Sequence, residues 1–294
     1  MHRQEVIEES ELMITERGTI YHLDMAPEQL ANTVITVGDP DRVKEVSKYF
    51  DRIESRAQHR EFIAHTGYIG QKRITVVSTG IGPDNIDIVL NELDALANID
   101  FATRTVREQK RTLDIIRIGT CGILNPEVAP GSFIASSHAV GLDNLMLYYR
   151  LSGSPDEIFI LNEFVRHTAL GGSALQPYVA EGSIALRKHF GEHYTHGITI
   201  TCPGFYGPQG RVLRAPIAYP NLVDALTTFQ CGMHRVANFE METSAIYGLG
   251  KVLGHHCLSL SLGVNNRVMK KVMDDIPGGL ERLIKESLAI IEKI

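Results

Sequence analysis

Four segments of this chain place a glycine, an arginine or both directly after a run of β-branched residues. That arrangement turns backbone N–H groups, a helix N-terminus and a guanidinium toward one anion. In Val37-Gly38-Asp39-Pro40-Asp41-Arg42-Val43, Gly38 permits close approach and Arg42 adds charge; the alternative is an Asp-Pro turn that only caps a helix. In Arg117-Ile118-Gly119-Thr120-Cys121-Gly122 the arginine sits in an apolar run, where an unpaired guanidinium is costly. Arg117 must therefore find an anion, either an internal carboxylate or a ligand, and Thr120 can offer a hydroxyl and an N–H to the same group. Ser78-Thr79-Gly80-Ile81-Gly82-Pro83 also joins strand to helix but lacks the third glycine of a dinucleotide fingerprint, which disfavours NAD. Asn265-Asn266-Arg267 is the fourth such loop. Gln58-His59-Arg60-Glu61-Phe62 has a basic centre and, taken singly, reads as a solvated loop.

Two other segments suggest recognition of something besides a small anion. Phe205-Tyr206-Gly207-Pro208-Gln209-Gly210-Arg211 combines an aromatic face, an amide with donor and acceptor, and a guanidinium, a set suited to stacking on a polar heterocycle and reading its edge. Asn238-Phe239-Glu240-Met241-Glu242-Thr243-Ser244-Ala245 is expected to open an amphipathic helix with two carboxylates two residues apart. These acids are either favourable charge in a first helical turn or a functional pair, in which Glu242 holds a sugar diol and Met241 packs beneath the ring.

The elements that position these loops follow from periodicity. Runs rich in β-branched residues at 33–37, 74–78, 115–118, 133–136, 198–201 and 258–264 read as strands. Ile86, Val89, Leu90, Leu93 and Leu96 follow helical spacing, as do Leu280, Leu283, Ile284, Leu288, Ile291 and Ile294. Strands alternating with helices predict a single α/β domain of three layers, α/β/α, around a central mixed sheet. Such sheets bind ligands beyond the carboxyl ends of their strands, where the glycine and arginine loops lie. Residues 98–112 and 145–155 read as polar or irregular insertions.

With 294 residues, 44% hydrophobic and 22% charged, the chain has ordinary globular composition. A formal net charge of -6 opposes general affinity for nucleic-acid backbone, so anionic ligands must meet local positive sites. The polar, acidic N-terminus lacks the apolar core of a signal peptide, and no eighteen successive apolar residues occur, so a cytoplasmic protein without membrane contact is expected. The four cysteines form no CxxC pair and read as reduced thiols. His255-His256-Cys257 is the one tight group of potential ligands, but neighbours on a strand face opposite ways, and no metal site is expected.

Five blocks in order, Gly-Asp-Pro-Asp-Arg, His-Arg-Glu-Phe, Arg-Ile-Gly-Thr, Phe-Tyr-x-x-Gln-x-Arg and Glu-Met-Glu, together resemble the nucleoside phosphorylase-I family, most closely its uridine phosphorylase branch. The resemblance runs from Tyr21 to the C-terminal helix, which leaves 1–20 as an N-terminal extension to a domain of 21–294. It implies a pentosyltransferase of pyrimidine salvage that cleaves uridine with inorganic phosphate to uracil and ribose 1-phosphate and needs no cofactor. It implies further that Gly38, Arg42, Arg117 and Thr120 cradle phosphate, and that Arg60 reaches in from a neighbouring subunit. His22 would cross the same dimer interface to the ribose, beside Met241 and Glu242, while Phe205, Gln209 and Arg211 hold the base. Arg42, Arg117, Glu242 and Arg211 would carry catalysis, and the assembly would be a homodimer or a hexamer built of dimers. Glu61 and Ile81 fall where some bacterial relatives hold a structural monovalent cation. The chain departs from the family pattern at Pro83-Asp84-Asn85, at Cys121 and at Pro208.

Two rivals share the resemblance. A purine nucleoside phosphorylase would need an acid near the purine N7, and Gly263-Val264-Asn265-Asn266-Arg267 contains none. Hydrolytic nucleosidases need no phosphate arginines. A non-catalytic nucleoside-binding module is opposed by the joint presence of Arg42, Arg60, Arg117, Thr120 and Glu242.

Overall fold

The computed structural model describes residues 5–294; the first four residues of the segment 1–20 lie outside the described residues. The chain begins its regular structure with β1 (Thr33–Val37), α1 (Pro40–Ser47), β2 (Arg52–His59), β3 (Phe62–Ile69), β4 (Lys72–Ser78) and α2 (Pro83–Asn98). It continues through β5 (Ile99–Asp100), β6 (Thr105–Val106), β7 (Asp114–Ile123), β8 (Phe133–Gly141), α3 (Pro155–Thr168), β9 (Tyr178–Glu181), α4 (Ile184–Arg187) and β10 (Tyr194–Thr201). The last part holds α5 (Leu222–Thr228), β11 (Gln230–Cys231), β12 (His234–Glu240), α6 (Thr243–Leu253), β13 (His256–Asn266), β14 (Lys271–Val272) and α7 (Ile276–Ile291).

The main sheet runs β11-β12-β10-β8-β13-β7-β1-β4-β3-β2 and is mixed. β4, β1, β7 and β13 are parallel, as are β8, β10 and β12, and the two groups meet antiparallel at β13–β8. Asn238 and Phe239 of β12 also pair with Ile123 and Gly122 at the end of β7. That extra ladder closes β7, β13, β8, β10 and β12 into a ring, so the sheet curls instead of lying flat. The tips of β7, β12 and β13 are thereby drawn together.

The layers follow from alternation within doubly buried strands. In β1, Val34 faces one core with Leu90 and Leu93 of α2 and Ile246 of α6, whereas Ile35 faces another with Val43 of α1 and Leu283 and Leu288 of α7. Ile115 and Ile116 of β7 divide in the same way. A third core puts Ile160 and Phe164 of α3 against Ile198 and Ile200 of β10. Strands covered on both faces read as unbroken apolar runs, which is why the sequence shows them.

The structure differs from the sequence reading in several elements. The helix expected from Asn238 begins at Thr243, because residues 238–240 finish β12. Residues 98–112 include the antiparallel pair β5–β6, and 145–148 form a short 3₁₀ turn. Gln58–Phe62 is the corner of a hairpin, with His59 of β2 paired to Phe62 of β3 and with Arg60 and Glu61 exposed to solvent at the turn. The described part of the N-terminal segment packs on the domain: Leu12 and Ile20 are buried in the α2 core. No helix among the described residues is long and apolar enough to cross a membrane.

Candidate active site

Each loop at the closed end of the sheet is set by a local device. Asp39 caps α1 by accepting from the N–H of Asp41 at 2.9 Å, with Pro40 at the first helical position, so Gly38 and Arg42 flank a fixed turn. At the start of α2, Gly80 and Gly82 adopt φ of +70° and +97°, which other residues resist. α6 has an unusual cap, since Glu240 reaches forward from β12 and accepts from the N–H groups of Glu242 at 2.9 Å and Thr243 at 3.0 Å. The carboxylate thus sits on the positive end of the helix. Its Oε1 also accepts from the Thr201 hydroxyl at 2.8 Å.

These loops surround one cavity of about 720 Å³. Gly38, Arg42, Arg117 and Thr120 line it, as do Met241 and Glu242, and Phe205, Gln209 and Arg211. Nine of the eleven residues expected at the site therefore border a common space. Arg60 and His22 do not. Arg60 is exposed at the β2–β3 corner with φ of +53°, a left-handed conformation that an arginine adopts at a cost. His22 is held by Glu92, whose carboxylate meets its Nδ1 at 2.6 Å and accepts from the backbone N–H groups of His22 and Leu23. Glu61 and Ile81 stand at the mouth of the cavity, the latter 69% exposed.

Arg117 finds the internal carboxylate that its burial demands. Its Nη2 donates to Glu242 Oε2 at 2.5 Å and lies 3.5 Å from Glu240 Oε2, all three side chains being buried. Burial works against its charge, but the two carboxylates more than compensate and hold its pKa above the ordinary arginine value. Nη1 is buried without a partner. Gly119 makes room for this guanidinium, since a Cβ there would lie 1.9 Å from Nη1. Glu242 uses both oxygens: Oε1 accepts from the N–H of Gly82 at 2.8 Å, joining the second glycine loop to α6. Burial, then the neighbouring Glu240, raises the Glu242 pKa against the opposing pull of Arg117.

Arg42 stands next to Arg117 without a paired carboxylate of its own. Burial and then repulsion from Arg117 lower its pKa, and it forms no ion pair with a described carboxylate. Arg42 without an ion pair and the unpartnered Nη1 of Arg117, both bordering the cavity, make a site for an anion.

At the other end Arg211 Nη1 donates to Phe205 O at 2.7 Å and to Gln209 Oε1 at 2.5 Å, while its guanidinium lies 3.7 Å from the Phe205 ring centroid. One face of Phe205 is therefore covered by arginine. With Oε1 engaged, Gln209 has its amide N–H₂ to offer. The Arg211 pKa is lowered by burial and then by Arg267, which bonds Gln209 O at 3.4 Å and lies over Phe239. Asn265, whose Oδ1 is buried and unpartnered, borders the cavity where a purine-cleaving site would need an acid.

Glu240 and Arg267 are the residues whose parts the sequence reading did not assign. The signals were the two-residue spacing to Glu242 and the flagged Asn265-Asn266-Arg267 loop, but neither discloses a partner. Cys121 also lines the cavity; burial, then Glu240, pushes its thiol up to about 12, which keeps it protonated and inert.

The family model of the phosphorylase superfamily matches residues 32–293. This chain belongs to that superfamily. Among curated relatives, a uridine phosphorylase of Thermococcus kodakarensis is 32% identical over 243 residues, 82% of this chain and 75% of its own length. A uridine phosphorylase of Haemophilus influenzae is 27% identical over 263 residues, 87% of this chain and 90% of its own. Among solved structures, the Trypanosoma brucei nucleoside phosphorylase, described as showing uridine phosphorylase activity, superposes with a TM-score of 0.86 at 32% identity. That match covers 96% of this chain and 98% of the other. The superfamily's mixed α/β architecture is the one seen here, with the cavity at the tips of β1, β4, β7, β12 and β13.

Proposed function

We propose that this chain is a uridine phosphorylase, a pentosyltransferase that converts uridine and inorganic phosphate reversibly to uracil and ribose 1-phosphate. The observation that carries the reading is the single cavity lined by Arg42 and Arg117, by Met241 and Glu242, and by Gln209 and Arg211. The uridine phosphorylases among its relatives support the same substrate. No cofactor enters the reaction.

Cleaving the N-glycosidic bond builds positive charge on the ribose and negative charge on the departing base, so catalysis is electrostatic placement. In this reading Gly38, Arg42, Arg117 and Thr120 hold phosphate as the nucleophile. Glu242 orients the ribose hydroxyls, exchanging part of its protein hydrogen bonding for them, and Met241 packs under the ring. Gln209 donates to a uracil carbonyl, Arg211 stabilises the base as an anion, and Phe205 walls the pocket. No covalent enzyme intermediate is required.

Arg60 and His22 act in a neighbouring subunit's site, and the exposed, left-handed position of Arg60 outside its own cavity supports that assignment. The active unit is then a homodimer, alone or within a hexamer, working in cytoplasmic pyrimidine salvage. The test is a screen of uridine, thymidine, inosine and adenosine with and without phosphate. Uridine cleavage dependent on phosphate, with ribose 1-phosphate as product, is expected; undiminished cleavage without phosphate, or inosine as the better substrate, refutes it.

A further inference from the structure

Away from the cavity, three residues from distant parts of the chain bring their ligand atoms within 4.8 Å of one another: His138 in β8, Asp156 in the first turn of α3, and His234 opening β12. Asp156 Oδ2 lies 3.3 Å from His138 Nε2 and 3.2 Å from His234 Nε2. His234 and Glu240 occupy opposite ends of β12, about 20 Å apart at the usual strand rise, so the group is separate from the proposed active site.

A plain ion-pair network does not account for it. His138 is 2% exposed, and its Nε2 is buried without a hydrogen bond, despite the nearby carboxylate. A buried imidazole nitrogen, close to a carboxylate and a second imidazole yet bonded to neither, is placed as a metal-ligating histidine is.

We propose that His138, Asp156 and His234 bind a divalent transition-metal ion, with Zn²⁺ the ion best suited to two imidazoles and a carboxylate. Bonds of about 2.0–2.1 Å to a tetrahedral Zn²⁺ place neighbouring ligand atoms about 3.3–3.4 Å apart, which both carboxylate-to-imidazole distances match. The other ring nitrogen of His138 meets the Ser137 hydroxyl at 3.3 Å, the outer contact that orients a metal-bound imidazole. Asp156 is half exposed, so the fourth position opens to water, and Glu181 Oε1, 3.9 Å from His138 Nε2, adds negative charge. The ion would pin the start of α3 to β8 and to β12 beside the sheet edge.

The inference is independent of the reaction assigned above, and its readout is the metal. Tag-free protein stripped with chelator is titrated with Zn²⁺ calorimetrically, alongside Asp156→Asn and His234→Gln, both changed at partly exposed positions. One Zn²⁺ per chain is expected, with affinity reduced more than a hundredfold in each variant. At Zn²⁺ a hundredfold above Kd the native Tm should rise by about 5 °C, and the variants should not respond. Anomalous diffraction at the zinc edge, from crystals of the native chain, should place the ion between the three side chains. Equal affinity in the variants, no binding to the native protein, or an ion bound only at other surface histidines overturns the proposal.

Discussion

Replacing Arg117 by Met separates the structural work of this residue from its chemical work. The guanidinium lies 2.5 Å from one buried carboxylate and 3.5 Å from another. At an effective dielectric near 20, opposite charges with about 4 Å between centres attract by about 4 kcal/mol. Removing one member of a buried pair typically costs about 3–5 kcal/mol, a large part of an ordinary domain's stability. Glu240 and Glu242 would then face each other without a cation, and the folded-state pKa of Glu242, already raised by burial and by Glu240, would rise further. A group with a raised pKa contributes stability that is complete below the unfolded value and lost as pH climbs through the folded one. Arg117→Met should therefore be closest to wild type near pH 5 and weaken more steeply than wild type toward pH 8. Adding Glu242→Gln should restore about 2–3 kcal/mol at pH 8, since the surviving repulsion disappears. Urea denaturation followed by circular dichroism at the two pH values measures each quantity. Where the single variant is folded, kcat/KM for uridine should still be down more than a hundredfold, about 2.7 kcal/mol of transition-state stabilisation. Absence of the pH steepening, or of recovery in the double variant, refutes the buried-pair account. A folded variant within tenfold of wild-type kcat/KM refutes a role in catalysis.

Gly119→Ala places a methyl 1.9 Å from Arg117 Nη1, so stability should fall by about 1–3 kcal/mol and the KM for phosphate should rise; unchanged KM would show that the guanidinium need not occupy this position. Arg60→Gly relieves a left-handed arginine, so Tm should hold or rise while phosphorolysis drops at least tenfold, and mixing Arg60→Ala with Glu242→Ala subunits should restore some activity; no recovery after verified subunit exchange counts against a shared site. Gln209→Ala should reduce the uridine-to-inosine preference about tenfold with little change in phosphate KM, because the amide reads only the base; an unaltered ratio removes Gln209 from base recognition.

Much of the molecule is legible because burial leaves a mark in one dimension. β1 occupies the run 33–37 that was read as a strand, and the 74–78, 115–118, 133–136, 198–201 and 258–264 runs lie inside β4, β7, β8, β10 and β13. Helices α2 and α7 carry the two periodic apolar stripes, and nine of the expected site residues border one cavity. β2 escaped because Arg-Ile-Glu-Ser-Arg-Ala-Gln-His leaves one face in water and half-buries the other, so no apolar run marks it. β12 escaped because polar residues interrupt its apolar run and find partners only across strands, as Asn238 Oδ1 does in accepting from the Thr199 hydroxyl.

By itself, then, the sequence determined the α/β class, the elements buried on both faces and the residue types for anion and heterocycle recognition, since these depend on spacings of a few residues. Which charges meet is a different matter. Arg117 and Glu242 are 125 positions apart, and only the β7–β12 ladder that closes the sheet brings the tips of their strands together. The same closure sets Arg117 against both Glu240 and Glu242, and packing of α3 beside β8 and β12 assembles His138 with Asp156 and His234. Electrostatic partners are set by distance in space, and the chain acquires those distances only when the sheet folds round on itself.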